Sequence, residues 1–427
     1  MNQTVTHSPA IQDEHPVTNA ARCRFCHAPL SDTFVDLGMS PPCQTIVRPE
    51  QLNLMEAFFP LHAWVCGSCY LVQLEEYVSP EDIFTEYAYF SSYSTSWVEH
   101  ARRYTEDMRA RLGLNADSLV VEVAANDGYL LQHFVAAGVP CLGIEPAKNV
   151  AAAAAEKGIP VVTEFFGEAL AKRLVGEGRR ANLIAGNNVF AHVPDINDFS
   201  LGLSTLLAPG GVVTLEFPHL MRLMDENQFD TIYHEHFSYL SLTTAGNVLR
   251  AAGLDLFDVQ ELPTHGGSLR LFACHADDPR ERLPSVAALA AREDAAGLNS
   301  LPAYARFEEQ VKATKRAILR YLIDARDAGR TVVGYGAPGK GMTLLNYCGI
   351  GPDLLDYTVD RSLYKQGNYT PGTRIPIHPP ERIAETRPDE ILILPWNLRV
   401  EIAEQLAYTA EWGCKLVVPI PTVQVIN

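Results

Sequence analysis

Twice along this chain a buried-strand run, a small-residue turn and a helical stretch follow one another, and that alternation limits the fold more than any other feature. Leu119-Val120-Val121-Glu122-Val123, Pro140-Cys141-Leu142-Gly143-Ile144-Glu145, Ala181-Asn182-Leu183-Ile184-Ala185 and Gly211-Val212-Val213-Thr214-Leu215-Glu216 read as four strands of a first round. A second round opens at Thr331-Val332-Val333-Gly334-Tyr335-Gly336 and continues through 355–360, 390–394 and 415–418. Strands spaced by helices imply parallel sheets with crossover helices. The runs 256–259 and 268–272 are close enough in sequence to form a hairpin at a sheet edge. Between the rounds, Phe307, Val311, Thr314, Ile318, Tyr321, Leu322 and Ala325 recur at three- and four-residue steps, which predicts one amphipathic helix ending near Gly329. The expectation is two doubly wound α/β units with a boundary between residues 280 and 300.

At roughly 150 residues per domain, 427 residues leave room for about three domains. With 34 basic and 51 acidic residues, the formal net charge is −17. That balance argues against a nonspecific grip on nucleic acid or an anionic membrane, both of which need a basic face. Small anions remain possible ligands, since helix N-termini and a few local cations can hold them. The opening Met1 to His7 has neither a basic nor an apolar run, and no apolar run reaches membrane-spanning length. The expected location is the cytoplasm.

Nine cysteines form an odd set, four of them in the pairs Cys23/Cys26 and Cys66/Cys69. Without an export signal this favours thiolate and metal chemistry over disulfides. Each pair places two sulfurs on one tight knuckle, and two knuckles supply the four ligands of tetrahedral zinc. Four protein ligands leave no position for water, so the expected zinc is structural. The alternatives are two unrelated surface pairs or a redox pair. Cys43 and His27 lie nearby in sequence and are read as bystanders.

Three further stretches carry chemistry. In Val121-Glu122-Val123-Ala124-Ala125-Asn126-Asp127-Gly128-Tyr129 a strand enters a small-residue turn, and Glu145 closes the next strand. A turn that lets backbone approach a ligand, with a carboxylate for ribose hydroxyls, is the adenosine-binding logic of doubly wound folds. The missing glycines of the dinucleotide fingerprint favour S-adenosylmethionine, which brings no phosphates, over a dinucleotide; a plain packing turn is the alternative. Asn187-Asn188 should reach the same site from the end of the third strand. The loop from Gly334 to Gly341 matches G-x-G-x-x-G, with Asp360 ending the next strand. Gly341 stands where a P-loop needs Ser or Thr. The loop therefore reads as a phosphate site with Lys340 as point charge, as a nicotinamide-dinucleotide site, or as a structural turn. Finally, Asp230 to Tyr239 holds two histidines, a glutamate and two tyrosines, including Tyr233, Glu235 and His236. General acid–base chemistry is the leading reading, since His titrates near neutrality and a carboxylate can tune it. Metal chelation by His234 and His236 and a surface polar patch are the alternatives. His192, after the third strand, should face the same cleft.

In this order, the cysteine module, the Glu122 to Tyr129 turn, Asn187 to His192, Tyr233 to Phe237, His265-Gly266-Gly267-Ser268-Leu269-Arg270 and the Gly334 loop resemble the nucleotide-sugar C-3′-methyltransferases of deoxysugar biosynthesis. The resemblance spans nearly all of the chain after residue 22. It implies a Rossmann-like S-adenosylmethionine methyltransferase core, flanked by a small four-cysteine zinc domain and a second Rossmann-like C-terminal domain. The expected limits are a disordered tail at 1–22, the zinc domain at 23–80, the methyltransferase domain at 81–282 and the nucleotide-sugar-binding domain at 283–427. The implied reaction methylates carbon 3 of a 4-keto-deoxysugar carried on a nucleoside diphosphate.

Residues matching the family's catalytic set are Tyr87, His192, Tyr233, Glu235 and His236. We expect His236 to be the base, oriented by Glu235, with Tyr233 and His192 at the enolate and Tyr87 closing the site. The cofactor contacts expected are Glu122, Ala124, Asn126, Gly128, Tyr129, Glu145, Asn187 and Asn188. Substrate contacts expected are His265, Gly266, Ser268, Tyr335, Ala337, Lys340 and Arg361, with Lys340 and backbone amides at the diphosphate. Pro42-Cys43-Gln44 departs from the family pattern and bears on substrate choice. A nicotinamide-dependent sugar oxidoreductase and a zinc-ribbon ligand-sensing regulator are the rival readings. The expected partner is a nucleoside-diphosphate sugar, with no nucleic acid, no membrane and a monomeric chain.

Overall fold

The computed structural model describes residues 21–79 and 90–426, so Tyr87 and most of the expected tail lie outside the described residues. The described strands form three sheets. The first is an antiparallel meander of Asp32–Ser40, Phe59–Val65 and Val72–Leu74. Along Phe59–Val65 the inward residues Leu61, Ala63 and Val65 alternate with less buried ones, as a half-covered strand requires. Its fourth strand, Ser238–Tyr239, comes from far along the chain and pairs antiparallel with Val72–Leu74. The cysteine module is thereby stitched into the chain that carries the histidine cluster.

The central sheet has seven strands, ordered in space as Leu254–Leu262, Ser268–His275, Leu207–Pro218, Ala181–Asn187, Val120–Val123, Cys141–Ile144 and Val161–Val162. The last five run parallel, and Ser268–His275 enters antiparallel beside Leu207–Pro218. The expected edge hairpin is present, over the longer register Leu254↔His275 to Leu262↔Ser268. Val120–Val123, Cys141–Ile144 and most of Ala181–Asn187 are buried, which explains their continuous apolar runs. Strand order reverses between Val120–Val123 and Ala181–Asn187. Ligands of open α/β sheets bind at such a switch point, outside the carboxyl ends of the strands.

The third sheet repeats the plan. Ile377–His378, Thr358–Val359, Val332–Tyr335, Glu390–Ile393 and Lys415–Val418 are parallel, with Gln424–Val425 antiparallel at the edge. Its switch point lies at the Gly334 loop. The periodic stretch forms the helix Phe307–Asp327, with Phe307, Val311, Thr314, Ile318, Leu322 and Ala325 buried. Phe307 stacks on Phe34 of the first sheet, and Thr314 accepts a hydrogen bond from Asn227 of the central unit, so this helix ties units together. Buried Glu293 does similar work: it pairs with His219 at 2.8 Å and accepts the Leu242 and Thr243 amides that open helix Leu242–Ala251. Among the described residues, no helix is long and apolar enough to cross a membrane.

Candidate functional site

The expected cofactor cradle starts where strand Val120–Val123 breaks. Ala124, Asn126 and Gly128 all take positive φ, at 59°, 49° and 75°. At position 128 only glycine fits: a Cβ would stand 2.3 Å from the Ile159 side chain. Glu145, at the end of the next strand, accepts the Asn126 and Ala147 amides at 2.9 Å each and so holds the turn open. Burial raises the Glu145 pKa, and those two amides oppose the rise. Asn126 and Asp127 in turn accept the Ser91 and Ser92 amides.

Glu122 is fully buried and hydrogen-bonds with the Tyr129 side chain. Burial drives its pKa well above the usual range, with Tyr129 opposing. Asn187 donates to the Tyr129 hydroxyl at 3.3 Å, while its own Oδ1 and the Oδ1 of Asn188 are buried without partners. Buried orphan polar atoms are costly unless a ligand pairs them. Here they lie at the carboxyl end of strand Ala181–Asn187, next to the central strand Val120–Val123, which fits the polar groups of S-adenosylmethionine. Trp97 stacks on Tyr129 and His100 and meets His265 edge-on, walling the cradle. Against the upward push of burial, His100 and Arg270 hold Glu216 beneath this wall down to about 2.

The histidine cluster follows the short turn Phe229–Thr231. His236 Nδ1 lies 2.8 Å from the Thr231 carbonyl, an acceptor, so Nδ1 carries the proton and Nε2 the lone pair. The Tyr233 ring packs on it at 4.1 Å, and His192 meets it edge-on at 4.6 Å. Phe237 donates its amide to the Ala191 carbonyl, which locks the two histidine-bearing segments together. Burial, reinforced by His192, holds His236 well below the usual histidine range. Burial likewise holds His192 at about 4, opposed by the Glu235 carbonyl. Both are neutral at physiological pH.

Glu235 does not orient His236; the Thr231 carbonyl does. The Glu235 side chain points away and accepts the Cys43 thiol at 3.5 Å. Burial pushes Glu235 up to about 7, opposed by Cys43 and Lys365. His234 also leaves the site, donating to the Pro60 carbonyl, so His234 and His236 cannot share a metal. Successive side chains here diverge: His234 and Glu235 reach Pro60 and Cys43 of the cysteine module, and His236 stays with its own segment.

Asp230 accepts the Trp396 indole N–H at 2.7 Å and keeps its other oxygen unpaired. Burial pushes Asp230 up to about 6, opposed by Lys340 and that indole. Lys340 donates to Asn397 Oδ1 and lies over the Trp396 ring. Burial lowers its pKa, Asp230 opposes, and its charge also depresses His236 and His265. Lys340 is thus placed toward the histidines. His265, at φ 55°, accepts the Asn188 amide, and a Cβ on neighbouring Gly266 would stand 2.7 Å from Trp396.

Other expected substrate contacts are committed elsewhere. The Tyr335 hydroxyl donates to Gln405, the Ala337 amide to Asp360, and the Ser268 hydroxyl to Thr264 of its own loop. Arg361 is exposed. The Ala337 amide is therefore not an open diphosphate donor. Sequence reasoning missed Thr231, Trp97, His100 and Trp396, and it singled out Cys43 without finding its contact with Glu235. Their roles depend on carbonyls and partners distant in sequence, which leave no local motif.

The four cysteines converge. Cys23 and Cys69 sulfurs lie 3.5 Å apart, as do those of Cys26 and Cys66, and all four lie within 4.8 Å. Both knuckles share one turn: His27 and Tyr70, each at φ 61°, donate amides to the Cys23 and Cys66 carbonyls. Cys69, the knuckle amides and Gln73 hold the Cys23 thiol down to about 4. Four sulfurs at these spacings fit a closed tetrahedral zinc. Among the described residues no other cluster of His, Cys, Asp and Glu has this proximity.

Comparison with known proteins gives matches to three family models. Residues 263–421 match "C-methyltransferase C-terminal domain", 97–259 match "Methyltransferase domain" and 23–84 match "Putative zinc binding domain". The C-methyltransferase NovU of Streptomyces niveus is 37% identical over 409 residues, covering 95% of this chain and 96% of that protein. Among solved structures, an S-adenosylmethionine-dependent methyltransferase of Clostridium acetobutylicum aligns with TM-score 0.34 at 10% identity, over 41% of this chain and 91% of that one. The CcbJ methyltransferase of Streptomyces caelestis gives the same score at 14% identity, over 41% and 89%.

Proposed function

The chain belongs to the S-adenosylmethionine-dependent C-methyltransferases with a four-cysteine zinc-binding module, and on that premise we propose that it methylates carbon 3 of a 4-keto-deoxysugar carried on a nucleoside diphosphate. The observation that carries this reading is His236, neutral, pinned at Nδ1, and packed between Tyr233 and His192 beside the cofactor cradle. Carbon does not attack a sulfonium without carbanion character, and a ketone at C4 acidifies the proton on C3. His236 Nε2 takes that proton as general base. The Tyr233 hydroxyl donates to the enolate oxygen, and the nearby Lys340 charge stabilises it. His192, with its N–H directed to the Glu235 carbonyl, stays neutral and packs edge-on against His236, where it walls the sugar.

S-adenosylmethionine, when bound, supplies an electrophilic methyl group. Glu145 would accept its ribose hydroxyls, Asn187 and Asn188 would offer their unpaired oxygens to its other polar groups, and Glu122 would hold Tyr129 beside it. The stacked Trp97 and Tyr129 would wall its site. The zinc-bound module takes no chemical step, since its four sulfurs leave no open position. A nicotinamide role for the Gly334 loop loses support because the Ala337 amide, which a pyrophosphate would need, is committed to Asp360.

The test is product analysis. Purified protein is incubated with S-adenosylmethionine and a panel of nucleoside-diphosphate sugars with and without a 4-keto group. The expected result is one new methyl at C3 of a 4-keto member by NMR. Methylation on oxygen or nitrogen, or indifference to the keto group, would overturn the reading.

A further inference from the structure

Arg24 stands between two zinc ligands, yet its side chain leaves the module. One guanidinium nitrogen donates to the Pro194 carbonyl at 2.5 Å and another to the Leu74 carbonyl. The guanidinium also lies over the Phe237 ring, 5.3 Å from its centroid. Pro194 is two residues after His192, and Phe237 directly follows His236. Leu74 donates its own amide to the Phe237 carbonyl. One side chain therefore touches both histidine-bearing segments and the strand that binds them.

The backbone on each side of Arg24 is fixed to the same region. The Arg24 amide donates to Gln73 Oε1, and Gln73 in turn donates to the Cys23 sulfur. Asn197, at the start of the helix after His192, donates to the Arg24 and Phe25 carbonyls. The knuckle cannot shift without dragging the His192 turn. We propose that Arg24 is a positioning residue: it couples the folded cysteine knuckle to the His192–His236 pair and holds their rings in working contact. This gives the zinc module a catalytic consequence without a catalytic metal. The proposal rests on His192 and His236 forming the reaction centre.

Guanidinium is needed because two carbonyls and a ring face are engaged at once. A lysine ammonium can reach one carbonyl but has no planar fork. The experiment uses the full zinc-loaded chain with Arg24→Lys and Arg24→Gln. Zinc content and S-adenosylhomocysteine affinity should match the parent, because neither the sulfurs nor the cradle is altered. Hydrogen exchange at the Phe237 and Leu74 amides should quicken in both variants. Turnover should fall by about 10²-fold in Arg24→Gln, the scale for slight misplacement of reacting groups, with KM for the sugar little changed and partial recovery in Arg24→Lys. Protected amides, or loosened amides with parental turnover, would overturn the proposal. Failure of the parent protein to methylate a keto sugar would instead count against the reaction reading. The exchange measurement still tests the coupling in that case.

Discussion

Two buried acid–base groups face opposite ways from one short segment, and their pH signatures differ accordingly. His236 and His192 are depressed by burial, so charging them costs folding energy. Their contribution is intact above the unfolded value of 6.5 and is lost as pH falls below it. Glu235 behaves in reverse. Its folded pKa of about 7 exceeds the ordinary 4.5, so its contribution is intact below 4.5 and is lost as pH rises through about 7. Glu235→Gln should therefore raise Tm at pH 8, by up to about 3 kcal/mol in stability, and change little near pH 4. Thermal melts across that range check this, and an equal shift at both ends would refute the sign. At the cradle, Glu145→Gln should weaken S-adenosylhomocysteine binding by about 1–3 kcal/mol, the range for hydrogen-bonding groups left unpaired. Calorimetry showing parental affinity would remove Glu145 from the ribose.

At the scale of elements, what was legible in the sequence was whatever has a local pattern. The strands Val120–Val123 and Cys141–Ile144 announce themselves because both faces are buried. The helix Phe307–Asp327 shows its apolar stripe, and the paired cysteines show their spacing. The orienting partner of His236 is a backbone carbonyl, which has no side-chain signature. Cys43 meets Glu235 across 192 positions, and Trp396 meets Asp230 across 166, so neither contact has a local signal. The same limit explains why Tyr335 and Ala337 look available in the loop motif yet are paired internally. The cysteine module gives an element-scale prediction. The protein should carry about one zinc per chain, and Cys66→Ser should lose it with a stability cost on the order of 3–5 kcal/mol, the upper range for single substitutions. Metal analysis and denaturant melts check both, and a metal-free chain of full stability would contradict them.

Over the whole molecule, all three sheets converge on one segment, residues 228–239. The first sheet takes Ser238–Tyr239 as its edge strand. The central sheet supplies the His192 turn, and the third unit sends Trp396 and Lys340 to Asp230. This short stretch docks the units together and carries His236, which on the reading proposed above would also remove the proton. The most direct test of this account is hydrogen exchange at C3 of a 4-keto nucleotide sugar in deuterated solvent. S-adenosylhomocysteine fills the cofactor site so that no methyl group drains the enolate. The parent protein should wash deuterium into C3, and His236→Asn, which keeps shape but loses basicity, should slow this by about 10²–10⁴-fold. Exchange in His236→Asn at the parental rate, with methylation lost, would contradict His236 as the base.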